Sequence, residues 1–188
     1  MLLIGNGRVI TRDPERPYLE HGAVVTDGPK IAAVGDEDAL KKAYPDAEYV
    51  DAAGGVMMPG LINAHTHIYS GLARGLAIEG HNPTNFLEIL EGMWWNIDRH
   101  LTLDGTRASA YATILDCIRN GVTAIFDHHA SFAEIPGSLF AIRDVAAETG
   151  MRACLCYEVS ERDGEERRSR VSGRMRSSPH GRRKRTIP

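Results

Sequence analysis

The sequence has few cysteines and no long apolar run. Three cysteines among 188 residues are too few, and odd in number, for a disulfide framework, which favours a reducing compartment and makes the cytoplasm the expected location. No apolar stretch approaches the roughly 18 residues of a membrane span, and the N-terminus lacks the basic region of a signal peptide. The composition, 43% hydrophobic and 25% charged, is typical of a soluble globular protein.

Charge is distributed unevenly along the chain. Residues 164–188 hold nine Arg or Lys and two acidic residues, whereas residues 1–163 hold 13 basic and 23 acidic residues. The basic stretch also has no Leu, Phe, Tyr or Trp, so it cannot bury enough apolar surface to offset the entropy lost on ordering. We therefore expect residues 164–188 to form a basic, disordered tail.

Residues 1–55 have the short apolar segments and Gly-rich turns of small strands. Ala23–Val25 and Ile31–Val34 flank the turn sequence Asp27-Gly28-Pro29, which predicts a hairpin. A short helix that Pro45 ends and a strand near Tyr49–Asp51 follow it. This segment is predicted to be part of a small β-sandwich.

Residues 56–163 alternate between strand and helix patterns. The apolar spacing predicts strands at 56–65, 122–127 and 151–159, and helices at 84–100, 104–120 and 138–149, with Gly121 and Gly150 as C-terminal caps. This order is typical of βαβ units, so the predicted fold class is α/β with a parallel sheet.

Two histidines, His65 and His67, follow the first of these strands. Residues i and i+2 of a strand share a face, with Cα atoms about 6.6 Å apart, so two imidazoles could converge on one metal ion. The carboxyl end of a parallel strand is also where α/β folds place their chemistry. The alternative is a pair of histidines that only form hydrogen bonds at the strand end.

These histidines lie within a longer recognisable stretch. The sequences DAAGGVMMPG (51–60) and GLINAHTHIY (60–69) resemble the connection and the first barrel strand of the amidohydrolase superfamily. Downstream, MWWNIDRHL (93–101), AIFDHHAS (124–131) and MRACLCYEVSERDGEE (151–166) are similar to its SsnA-type aminohydrolase branch, which lies near the chlorohydrolases and the guanine and cytosine deaminases. The resemblance covers residues 1 to about 166.

The resemblance implies a (β/α)8 barrel and a metal-dependent hydrolase acting on non-peptide C–N bonds. His65 and His67 would bind a divalent metal, Zn or Fe, whose bound hydroxide is the nucleophile. The substrate would be a nitrogen heterocycle or an amidine-type molecule, and the full-length family implies a homo-oligomer. Neither a membrane nor nucleic acid is an expected partner.

The other metal ligands and the general base of that family come from later strands. A barrel needs eight strands, whereas residues 56–163 supply three. The catalytic base is therefore unknown, and we expect the chain to be a truncated or frameshifted reading of a longer enzyme that is inactive alone. Two alternatives stay open: a basic-tailed nucleic-acid-binding protein, or a fragment that completes a barrel with another chain.

Other side chains are candidates for contacts with substrate. His128 and His129 end the second strand, and the family resemblance implies a position near the substrate pocket, although only one of the two can face it. Glu158 ends the third strand and is a further candidate for a substrate contact. The alternatives are a hydrogen-bonded strand end for the histidines and a loop carboxylate for Glu158. Cys154 and Cys156 are expected to be buried free thiols. Of Trp94 and Trp95, one is expected to pack in the core, and the other is a candidate for stacking on a heterocycle.

Overall fold

The computed structural model describes residues 1–166 and 168–170, and it divides into two compact units. The first unit is Met1–Gly60, and the second begins at Leu61. This break lies after the predicted boundary between residues 55 and 56, because Val56 and Met57 pair with Arg8 and Val9 of the first unit. The predicted strand 56–65 is therefore two separate strands in two sheets.

The first unit is a five-stranded mixed sheet with one helix. The strand order is β3-β2-β1-β4, and β5 pairs with β1. The first three strands are antiparallel, whereas β4 and β5 run parallel to β1. The elements are β1 (Leu2–Ile10), β2 (Tyr18–Asp27), β3 (Lys30–Asp36), α1 (Glu37–Ala43), β4 (Glu48–Asp51) and β5 (Val56–Met57).

The predicted hairpin is confirmed as β2 and β3. Gly28, with φ +55°, and Pro29 form its two-residue turn, and a positive φ at the first turn position favours glycine. Leu40 of α1 packs with Leu3 and Val25 in a small core. Residues 1–60 form this one sheet and no sheet that faces it, so the sandwich itself stays a prediction.

The second unit is a parallel α/β layer. Its three strands, in the order β6-β7-β8, run parallel, as the alternating pattern predicted. The strands are β6 (Leu61–Thr66), β7 (Val122–His129) and β8 (Arg152–Tyr157). The helical segments are a 3-10 segment (Ile68–Ala73), α2 (Phe86–Ile89), a π-helical turn (Leu90–Trp94), α3 (Trp95–His100), α4 (Leu103–Arg119) and α5 (Ser138–Thr149).

Helices α4 and α5 cover one face of this sheet. Ile125 of β7 is fully buried against Ile114 of α4 and Ile142 of α5, and Ile68 belongs to the same core. A turn with positive φ leads from each helix to the next strand, at Gly121 (φ +74°) and Gly150 (φ +73°). Asn120 rather than Gly121 is the C-cap of α4, so that cap was predicted one residue too late.

The start of the basic stretch differs from the expected tail. Residues 165–166 and 168–170 are helical, and the Arg170 guanidinium lies 2.6 Å from the Glu166 carboxylate one helical turn earlier. Such i,i+4 pairs support a helix. The remainder of the predicted tail, residues 171–188, lies outside the described residues. No helix in the described part of the chain is both long and apolar enough to cross a membrane.

Candidate metal centre

The two histidines of the H-x-H motif meet at the carboxyl end of β6. His65 lies within the strand, and His67 immediately precedes the 3-10 segment. Their Nε2 atoms are 3.1 Å apart, and their rings meet edge to face with centroids 5.1 Å apart. Both residues thus lie at the strand end, as predicted, with their Nε2 atoms within hydrogen-bond distance of each other. Their role as metal ligands stays a prediction.

A backbone contact determines the tautomer of His67. Its Nδ1 atom lies 3.0 Å from the carbonyl oxygen of His128. Because a carbonyl oxygen only accepts hydrogen bonds, Nδ1 carries the hydrogen, and in the neutral ring Nε2 has a lone pair that can accept a hydrogen bond from His65 or bind a metal ion. Metal-binding histidines commonly donate their second N–H to such an acceptor. The lone pair of His67 thus faces the Nε2 atom of His65.

An open depression of about 690 Å³ borders the two imidazoles. Its wall includes the indole of Trp94, the thiol of Cys117 and the Arg74–Asp116 ion pair, whose charged atoms are 2.6 Å apart. Trp95 lies elsewhere and packs against two arginine side chains. The depression thus combines metal-binding nitrogens with an aromatic wall.

A smaller cavity of about 180 Å³ lies along the open face of the sheet. His128 and Phe126 of β7 line it together with Cys156 and Cys154, their respective register partners on β8. Both β8 cysteines are exposed, so the prediction that they are buried is wrong. They lie on the sheet face opposite to the helices, where the described residues provide no covering layer.

The three predicted substrate contacts occupy different surroundings. His128 is half-buried and lines the smaller cavity. His129 is fully buried and lies between the rings of Tyr69 and Tyr157, with centroid distances of 5.6 and 5.2 Å, so it lines neither depression. The Glu158 carboxylate lies 3.3 Å from Nε of Arg162. A direct contact of His129 with substrate does not fit this burial.

Two buried carboxylates near the site were not singled out from the sequence. Asp127 accepts a hydrogen bond of 2.7 Å from the backbone N–H of Ile68, and burial raises the pKa of Asp127 to about 6, against the lowering effects of that hydrogen bond and of His67. Asp98 is 1% exposed, and burial raises its pKa although Arg162 opposes the shift. The available signal was apolar spacing, since Asp127 follows Ile125 by two residues on a strand and Asp98 lies three residues from Trp95 and Leu101.

The site supplies only some of the ligands that a metal ion needs. The described residues contain no group of three or more His, Cys, Asp or Glu side chains placed to hold one ion. His65 and His67 supply two imidazole nitrogens, whereas a catalytic zinc normally has three protein ligands and an open position. The pair fits such an ion as part of a larger ligand set.

Comparisons with known proteins show the family of the chain. The sequence profile of the Amidohydrolase family matches residues 56–185, which is more than half of the chain, so the chain belongs to that family. A second profile, the bacterial imidazolonepropionase-like composite domain, matches residues 22–47. The first match continues past residue 166, where we expected the resemblance to end, so most of the basic stretch lies inside it.

Several curated relatives are deaminases. A 5'-deoxyadenosine deaminase of Methanosarcina barkeri is 30% identical over 166 residues, which are 88% of this chain and 35% of the relative. A 5-methylthioadenosine/S-adenosylhomocysteine deaminase of Nitratidesulfovibrio vulgaris is 33% identical over 119 residues, 63% of this chain and 26% of that protein. The chain thus spans about a third of the length of the curated relatives it matches.

The chain is also similar to solved structures. Atrazine chlorohydrolase TrzN from Arthrobacter aurescens TC1, in complex with zinc, superposes with a TM-score of 0.67 at 30% identity, covering 84% of this chain and 35% of that one. E. coli guanine deaminase gives a TM-score of 0.72 at 17% identity, covering 94% of this chain and 44% of that one. The second match shows the fold alone.

Proposed function

We propose that this chain supplies the first part of the active site of a metal-dependent hydrolase that removes an amino or comparable leaving group from a nitrogen heterocycle. The observation that carries the proposal is the convergence of His65 and His67, whose Nε2 atoms are 3.1 Å apart at the carboxyl end of a parallel strand. Family membership supports it, since the relatives named above are deaminases and a chlorohydrolase.

Each part of the site has a role in this reaction. A Zn or Fe ion held by His65 and His67 would lower the pKa of a water molecule and supply a nucleophile at neutral pH. The carbonyl of His128 holds the His67 ring, with its hydrogen on Nδ1 and its lone pair on Nε2. Trp94 offers a flat aromatic wall to a heterocyclic ring.

The proposed substrate class is a nitrogen heteroaromatic ring that bears its leaving group on a ring carbon. Deoxyadenosine, methylthioadenosine, guanine and triazine, which appear in the names of the similar proteins, share this chemistry. A depression of about 690 Å³ is within the usual size range of small-molecule sites. His128 lines the adjacent cavity and is the better placed of the two adjacent histidines to approach such a ring.

The same site is incomplete within the described residues. It has two imidazoles where catalytic zinc sites have three protein ligands, and we assign no general base. We propose that the 188-residue chain by itself binds a divalent metal weakly and reversibly and does not release ammonia from these heterocycles. A fuller ligand set would come from further strands of the family fold.

A chimera tests the proposed function. Residues 61–163 would replace the matching segment of the Methanosarcina barkeri 5'-deoxyadenosine deaminase, and metal content and ammonia release from 5'-deoxyadenosine would be measured. We expect both to be retained, and both to be lost in His65→Ala and His67→Ala. His100→Ala, at an exposed histidine of the same segment, is the control. Full metal content and activity in either His→Ala chimera would refute the proposal.

A further inference from the structure

Two exposed thiols share one face of β8. Cys154 and Cys156 flank Leu155, which packs against the core on the helix side of the sheet. Because side chains i and i+2 of a strand point to the same face, both sulfur atoms lie on the opposite, open face. Both cysteines are free and exposed, and both line the cavity of about 180 Å³. A ligand can therefore reach the two thiols together.

The neighbouring strand β7 forms one wall around this pair. His128 and Phe126 are the register partners of Cys156 and Cys154, and all four residues line the same cavity. The Cys156 thiol donates a hydrogen bond to the carbonyl oxygen of Asp127, with 3.2 Å between sulfur and oxygen. The sulfur of Cys156 is thus directed towards β7 and into the cavity, rather than out into water.

Strand geometry keeps the two cysteines as separate thiols. Neighbours on one face of a strand have Cα atoms about 6.6 Å apart with nearly parallel Cα–Cβ bonds, so their Cβ atoms are about equally far apart. A disulfide needs Cβ atoms about 3.5–4.5 Å apart. A bond between Cys154 and Cys156 would therefore distort β8, which pairs with β7 in continuous register from Arg152 to Tyr157. The pair suits a ligand that bridges a wider gap.

The size and chemistry of the cavity favour a soft metal ion as that ligand. A volume of about 180 Å³ is below the roughly 300–1,000 Å³ of small-molecule sites. Thiolates select soft ions such as Cu⁺. Structural zinc takes four ligands, whereas Cu⁺ forms stable complexes with a pair of thiolates. Burial raises the pKa of the Cys156 thiol, so the ion must have a high affinity for thiolate to displace the proton at neutral pH.

We propose that Cys154 and Cys156 form a two-thiolate binding site for a soft monovalent metal ion, with Cu⁺ as the ion to test. Each thiol passes its proton to water as Cu⁺ binds, and neither sulfur nor copper changes its oxidation state. The site goes beyond the proposed function and does not depend on it, because its ligands are thiols and not the imidazoles of the H-x-H motif. His65 also lines the small cavity, so the experiment has to separate the two sites.

The first measurement is an anaerobic titration of the 188-residue chain with Cu⁺ in competition with bicinchoninate. We expect about one equivalent of bound Cu⁺ in the wild type. Cys154→Ser and Cys156→Ser should each bind about tenfold more weakly or worse, because a hydroxyl is a hard ligand and one thiolate remains. Cys117→Ser, which changes the thiol on α4, is the control and should match the wild type.

Serine is close to cysteine in size, so we expect all three variants to fold, and far-UV circular dichroism checks this. Wild-type affinity in the folded Cys154→Ser and Cys156→Ser variants would overturn the proposal. So would a wild-type chain that does not compete with bicinchoninate for Cu⁺.

The second measurement identifies the ligands by X-ray absorption at the copper edge. We expect two sulfur neighbours of Cu⁺ in the wild type, and wild-type Cu⁺ affinity in a His65→Ala/His67→Ala double variant. A nitrogen neighbour, or loss of Cu⁺ binding in that double variant, would assign the ion to the histidines and overturn the thiolate site. Loss of Zn²⁺ binding with Cu⁺ binding retained would support both sites, so each can fail alone.

The third measurement asks whether one chain supplies both thiolates. In sedimentation velocity, the chain with one equivalent of Cu⁺ should sediment as the metal-free chain does at the same concentration. A Cu⁺-dependent dimer that Cys154→Ser and Cys156→Ser abolish would show that the ion joins cysteines of two copies, and would overturn the proposed pairing within β8.

Discussion

The two faces of β7 differ in what they bury and in what they offer. Ile125, Asp127 and His129 point to the face that the helices cover and are at most 3% exposed, whereas Phe126, on the other face, is 49% exposed. His128 lies on the open face with Phe126 and borders the smaller cavity. One strand thus contributes alternate residues to a packed interior and to an accessible surface.

This difference separates two kinds of polar residue. The covered face contains Asp127, whose pKa is raised by burial, and His129, whose pKa is lowered by burial. Asp127 also accepts a hydrogen bond from the backbone N–H of Ile68, the residue after His67. The open face and the strand end carry the groups that a ligand can reach. We infer that the covered face stabilises the second unit, while the accessible strand ends carry the proposed site.

The largest expected effect comes from the covered face. Ile125→Ala removes a fully buried side chain from the core formed with Ile114 and Ile142, and such truncations cost about 2–5 kcal/mol. Urea unfolding followed by circular dichroism should show this loss in the free energy of unfolding. A loss below about 1 kcal/mol would mean that α4 and α5 do not pack on β7 as described.

An intermediate effect is expected from the buried imidazole. Burial, with a smaller contribution from His128, lowers the pKa of His129 to about 3, so the unfolded chain binds a proton below about pH 6.5 that the folded chain rejects. Stability from His129 is complete above that pH and is lost as pH falls. Relative to wild type, His129→Phe should therefore gain about 1.4 kcal/mol for each pH unit below 6.5.

The measurement is urea unfolding of the wild type and His129→Phe at pH 6.5, 5.5 and 4.5. At each pH, the free energy of unfolding of the wild type is subtracted from that of the variant. The difference removes the opposing effect of Asp127, whose raised pKa stabilises the folded chain as pH falls through about 6. It also removes any constant cost of fitting the larger Phe ring. If this difference in the free energy of unfolding does not change with pH, the pKa of His129 is the same in the folded and the unfolded chain, which would contradict its burial.

The smallest effect on stability is expected on the open face. Phe126→Ser changes a half-exposed side chain, and we expect the free energy of unfolding to change by less than about 1 kcal/mol. Self-association should fall instead, since exposed apolar residues on a sheet favour contacts between copies. Sedimentation velocity at several concentrations checks this, and unchanged association would show that the open face is not the contact surface.

The sequence predicted local structure best where a signal is carried by neighbouring residues. The helix at 138–149 was predicted with its observed bounds because apolar spacing and Gly150 mark it, and the placement of His65 and His67 followed from a strand that ends at a loop. Apolar spacing does not reveal the sheet to which a strand belongs. Val56 and Met57 were therefore predicted as the start of the strand that ends at His65, whereas in the structure they pair with β1.

The features that the sequence did not predict depend on distant partners. Asp98 and Arg162 are 64 residues apart along the chain, and no local pattern connects them. The exposure of Cys154 and Cys156 depends on what covers their face of the sheet, which a strand pattern does not specify. Burial of His129 rather than His128 depends on which face α4 and α5 cover, a choice made by tertiary packing.

The most direct test of the central claim is the binding of Zn²⁺ to the 188-residue chain by equilibrium dialysis, in a Cys154→Ser/Cys156→Ser background that removes the two exposed thiols and keeps Cys117. We predict about one exchangeable equivalent, with affinity about tenfold weaker or more in His65→Ala and in His67→Ala. His21→Ala, at an exposed histidine of the first unit, should leave the isotherm unchanged. An unaltered isotherm in a His65→Ala/His67→Ala double variant would show that these histidines do not form the metal centre.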